Sequence, residues 1–193
     1  MKTKHFKTKL LLGIYMLLIT TIVLSGVVSF AEEETGISLE QYNNAEFNLN
    51  INYPSDWEVQ ENFMGTVAIF LSPQESPTDQ FRENLNIVTQ DLTQQPMTLD
   101  EYFETSIAQI KQLMTDFQQV SSEKVNFLNE EAYSIIYTAT QGSFKVKIMQ
   151  YLYIKDNTAY VVTYSAEEEN YNQYISIIEQ MLNSFRIRRF HNS

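Results

Sequence analysis

Cysteine is absent from the 193 residues. That absence removes disulfide frameworks, thiolate nucleophiles, cysteine-ligated zinc and a lipid-modified N-terminal cysteine at once. Histidine is nearly as scarce: His5 lies in a basic N-terminal stretch and His191 is third from the end, a poor position for a catalytic base because chain ends are mobile. Glycine and proline number only 5 and 4, and 44% of residues are hydrophobic. Collagenous and disordered classes are therefore excluded, and stability must come from packing. Basic residues are also few, with Lys and Arg totalling 13 against 24 Asp and Glu. Four of those cations, Lys2, Lys4, Lys7 and Lys9, precede the first acid at Glu32, so removing the segment through Ala31 moves the net charge from −11 to −15. A domain that acidic repels polyphosphate, so nucleic acid is not an expected partner, whereas cations or basic proteins fit.

The basic start, the apolar stretch Leu10 to Leu24 and the small-x-small triplet Ser29-Phe30-Ala31 together predict an export signal over residues 1–31, with Ser29 and Ala31 as the signal-peptidase site and cleavage after Ala31. The alternative is an uncleaved anchor, since Leu10 to Ala31 approaches the ~20 apolar residues that span a bilayer. On either reading the rest lies outside the cytoplasm, secreted or extracytoplasmic: in a periplasm, cell wall or thylakoid lumen according to the host. Residues 32–44 read as a flexible acidic leader, and Glu32-Glu33-Glu34 as a solvated run rather than a metal site.

The domain is expected over residues 45–189. Its organising stretch is Glu131 to Ala166, where β-branched and aromatic residues broken at Gln141-Gly142 and Asp156-Asn157 predict a three-strand meander. Phe144, Val146, Ile148, Leu152 and Ile154 share one face. Lys145, Lys147, Met149, Tyr151 and Tyr153 share the other, which is apolar enough to call for cover on both sides of the sheet. Further strands are predicted at Phe47 to Ile51, Thr66 to Leu71, Asn84 to Asp91 and Val120 to Leu128. The apolar spacing from Leu99 to Phe117, opened by Thr98 and Glu101 as a capping box, predicts one amphipathic helix, and Tyr171 to Phe185 predicts a second. Ser165 with Glu168 is a possible cap for the latter, and Glu167, Glu168 and Glu169 fall where a helix N-terminus favours negative charge. Arg186, Arg188 and Arg189 stand past its other end, where they complement that end electrostatically or form a small basic spot. Trp57, the single tryptophan, reads as a buried anchor closing the sheet end. Between two strands, Ser72 to Glu83 holds Pro73, Pro77 and Phe81 without a period. This loop, with Phe81, is the candidate partner surface, the equal alternative being a loop folded back over the sheet edge.

No catalytic constellation emerges. Gly-x-Ser-x-Gly, His-Glu-x-x-His, phosphate-loop and calcium-loop spacings are all missing from the sequence, and abundant carboxylates alone cannot single out a glycosidase-like pair. The chain is accordingly not expected to be an enzyme, a carboxylate-based hydrolase being the remote alternative.

The phrases Phe47-Asn-Leu-Asn-Ile-Asn-Tyr-Pro-Ser-Asp-Trp57, Asn84-Leu-Asn-Ile-Val88, Thr98-Leu-Asp-Glu-Tyr102, Lys155 to Ala166 and Asn183-Ser-Phe-Arg-Ile187 resemble the PsbP family, in which the prototype is an extrinsic subunit of the photosystem II oxygen-evolving complex. The resemblance implies an α+β fold: an α/β/α sandwich around an antiparallel sheet of about six to seven strands with two long helices. It also implies an accessory, non-catalytic role at the outer side of a membrane, contact with a membrane-associated protein complex, and at family level retention of calcium. The residues themselves identify no cofactor and no metal ligand. A calcium or small-ligand carrier is the alternative, and direct lipid binding is not expected of so acidic a domain.

Overall fold

The computed structural model describes residues 37–187. The expected export signal with Ser29 and Ala31, the run Glu32 to Glu34, and Arg188, Arg189 and His191 lie outside them. The predicted meander forms from β7 (Glu130–Gln141), β8 (Phe144–Lys155) and β9 (Thr158–Glu167). Gln141 pairs with Phe144 and Lys155 with Thr158, so each hairpin closes on two residues. In the second, Asp156 and Asn157 have φ of 49° and 55°, the left-handed pair that matches strand twist. In the first, the connecting pair is Gly142-Ser143, one residue later than expected, with Gly142 at φ 61°.

Around the meander stand β3 (Glu58–Glu61), β4 (Ala68–Leu71), β5 (Asn84–Asp91) and β6 (Thr115–Phe127), giving a seven-stranded antiparallel sheet in the order β3-β4-β5-β9-β8-β7-β6. A second, three-stranded sheet places β2 (Leu49–Pro54) between β1 (Leu39–Asn44) and the two-residue β10 (Arg186–Ile187). Helix α1 (Leu99–Leu113) covers one face of the large sheet, burying Tyr102, Phe103, Ile107 and Ile110 with Val146, Ile148 and Leu152. Helix α2 (Tyr171–Ser184) and β2 cover the other, burying Ile178, Met181 and Leu182 with Met149, Tyr153 and Tyr164. Both faces of β8 are thus covered, as its mixed second face required.

Several boundaries differ from the sequence reading. Leu39–Asn44 of the supposed leader is a strand, because its residues pair one for one with Leu49–Pro54. Helix α1 stops at Leu113 rather than Phe117. Met114 is already extended, Asp116 takes φ 54°, and the register shifts between Thr115 and Gln118, so the chain turns directly into β6. The capping box of Thr98 and Glu101 forms as predicted. Ser165 and Glu168 do not cap α2: Ser165 is buried inside β9, and Asn170 occupies the cap without a side-chain bond to the helix backbone. Glu167, Glu168 and Glu169 accordingly precede the first turn of α2, which holds no acid.

Candidate functional site

Trp57 is 6% exposed and meets Tyr174 of α2 edge-to-face at 6.0 Å, so it is part of the core at the end of the sheet where α2 begins. The Ser72 to Glu83 connection docks on the same end. Its shape follows from short polar side chains that bond their own backbone: Asp79 accepts from the backbone N–H groups of Glu75 at 3.1 Å and Phe81 at 2.9 Å. Arg82 ties its base, donating to the carbonyls of Leu71 and Ser72 and pairing with Glu58 at 2.7 Å. That pairing holds the Glu58 carboxyl below the usual range.

Glu75 fastens the loop to α2. One oxygen accepts from Tyr174 at 3.0 Å and Gln173 at 3.2 Å, and the other from Asn170 at 3.3 Å. Asn170 also donates to Glu83 at 3.2 Å. Glu83 has no solvent exposure, and burial, reinforced by the nearby Glu75, raises its pKa above the ordinary glutamate value even though hydrogen bonds from Asn170 and backbone amides work against the rise. Glu167 is raised for the same leading reason, with Asp79, Glu169 and Glu75 adding repulsion. The loop, the end of β9 and the start of α2 therefore share one negative field.

Phe81 is not a free contact residue on this surface. It is half-buried, packs on the Phe144 ring at 5.4 Å and joins the core under α1, so it pins the loop and its truncation acts first on stability. The exposed part is the crest Gln74 to Thr78. Sequence reasoning found the loop, but missed Glu75, Asp79 and Glu83 as its organisers. Short polar residues at a loop start were the available signal; bonds to Asn170 and Tyr174, ninety-odd positions away, left none. Among the described residues no three His, Asp or Glu side chains converge as a metal cage.

A seven-stranded antiparallel sheet covered by one helix on each face, with an ordered acidic loop at the start of the second helix, defines an α+β sandwich. The family described as PsbP-like protein matches residues 20–187, and the chain belongs to that family. Similar solved structures include PsbP of the cyanobacterium Synechocystis (15% identity, TM-score 0.58, 84% of this chain and 100% of that one) and LpqN of Mycobacterium tuberculosis, involved in cell envelope biogenesis (9% identity, TM-score 0.58, 79% and 91%). A Pseudomonas aeruginosa protein of unknown function, described as a putative regulator, also matches (13% identity, TM-score 0.57, 78% and 98%). At these identities the likeness is one of fold. Comparison with curated proteins finds no match.

Proposed function

We propose that the protein is an exported, non-catalytic accessory domain that works at the outer side of a membrane by docking a basic surface of a membrane-associated protein onto the acidic end formed by the Ser72 to Glu83 loop and Glu167 to Glu169 ahead of α2. The observation that carries this reading is the gathering of acids there: burial raises Glu83 and Glu167, and the like charge of Glu75 on Glu83, and of Asp79, Glu169 and Glu75 on Glu167, adds to it. A cationic partner relieves that repulsion and gains steering from it. The export signal in the sequence and the PsbP and envelope-protein likenesses support the location. No helix among the described residues is long and apolar enough to cross a membrane, so attachment on this reading comes through the N-terminal segment or the partner.

The test is site-specific photocrosslinking in the native cells from Ser76 and Thr78, both exposed. The expected result is an adduct with a membrane protein whose extracytoplasmic face is basic, lost on reversing charge with Glu168→Lys and Glu169→Lys while thermal stability is kept. Adducts that persist through charge reversal, or none from either position, overturn the reading.

A further inference from the structure

At the opposite end of α2 a second concavity opens, of about 670 Å³, within the range of small-molecule sites. It is bounded by the β6–β7 turn, the end of β8 and the last turn of α2 running into β10. Asn126, Asn129 and Asn183 line it with amides that both donate and accept, and Phe127, Leu182 and Ile187 give it an apolar wall.

Two groups here have unused bonding capacity, one sealed beneath the cleft and one open to it. Tyr153 is 1% exposed and its buried hydroxyl has no hydrogen-bond partner among the described residues, although buried tyrosine hydroxyls ordinarily find one. Arg186 donates only through Nη1, to the carbonyls of Asn183 and Phe185 at 2.7 Å each, so Nε and Nη2 make no hydrogen bond among the described residues. Lys155 and Glu130, also in the lining, neutralise each other at 2.7 Å. Arg186 is then the one uncompensated charge in the lining, positive in a chain of net charge −11. The remaining acids act on it weakly where they lie beyond the roughly 8 Å screening length of physiological salt.

We propose that this cleft binds a small polyhydroxylated carboxylate of the uronic-acid class, with its carboxylate on the free edge of the Arg186 guanidinium and its hydroxyls on the asparagine amides. A planar guanidinium edge matches a carboxylate in two parallel bonds. Amides that serve as donor and acceptor match hydroxyls. The volume fits a monosaccharide and leaves room for a second ring. This site is separate from the docking loop and does not depend on it.

Calorimetric titration of the full chain with D-glucuronate and D-galacturonate tests the assignment, with D-glucose lacking the carboxylate and acetate lacking the hydroxyls. At least one uronate is expected to bind at least tenfold more tightly than glucose and acetate, a difference of about 1.4 kcal/mol. Arg186→Gln, on an exposed side chain, is expected to weaken that uronate about tenfold. Tyr153→Phe serves as the control: it is expected to keep that affinity and to leave the melting temperature unchanged or higher, because it deletes a buried hydroxyl sealed beneath the cleft. Absence of heat with either uronate up to about 10 mM, equal binding of glucose, or full affinity in Arg186→Gln overturns the proposal.

Discussion

Glu83 shows how a single side chain sets the chemistry of the loop end. A carboxyl with no solvent exposure whose folded-state pKa lies above its ordinary value is bound more strongly as the acid than as the anion. Its contribution to stability is therefore complete below the unfolded value and is lost as the pH rises through the higher folded one. Glutamine imitates the protonated form and keeps the carbonyl oxygen that accepts from Asn170. Glu83→Gln is thus expected to raise the melting temperature by a few degrees at neutral pH, the gap closing toward about pH 4, where glutamate in the unfolded chain also protonates. Thermal melts of both proteins between those limits check it, and a gap that widens with acid reverses the sign of the argument. Leu128 carries a different cost. It takes φ 57° beside Asn129 at φ 66° in the two-residue β6–β7 turn, a conformation asparagine tolerates and a branched aliphatic does not favour. Its contact with the core beneath α2 accounts for the choice.

At the scale of elements, α1 depends on its first turn. Thr98 accepts from the Glu101 amide at 3.2 Å while Glu101 returns a bond to the Thr98 amide at 2.9 Å. Thr98→Ala is expected to cost about 1 kcal/mol and lower the melting temperature by about 2–4 °C, with Thr98→Ser restoring it; thermal denaturation reads both. This box was legible in the sequence, as were the meander, both helices, the buried Trp57 and the need to cover both faces of β8, because each rests on local spacing of residue types. What could not be read was non-local. Leu39–Asn44 is polar in composition and becomes a strand only by pairing with β2, and Glu58–Glu61 is one only through β4. Helix α1 carries its apolar spacing past its own end because Met114 and Phe117 continue into the same core from extended backbone. The loop site fared similarly: Phe81 stood out as an aromatic in an irregular stretch, yet its packing on Phe144 is a contact across 63 positions that no period announces.

For the whole molecule, the small sheet gathers the two ends of the described chain on one strand. β1 and β10 both run antiparallel to β2, hence parallel to each other, with Leu39 beside Pro54 at one end of β2 and Ile187 beside Leu49 at the other. Tension applied to the two termini pulls along these strands in opposite directions, so the ladders are sheared and their bonds resist together rather than parting one by one. The two sides are unequal: β1 shares the force over six paired residues, and β10 over two. A pull on a tethered molecule should therefore release β10 first, then draw buried Phe185 and α2 away from the sheet while the β1–β2 clamp still holds. Forced unfolding follows barrier heights rather than total stability, so single-molecule extension should record a short early step from the C-terminal side ahead of the main rupture. Lengthening the β10 pairing should merge the two events.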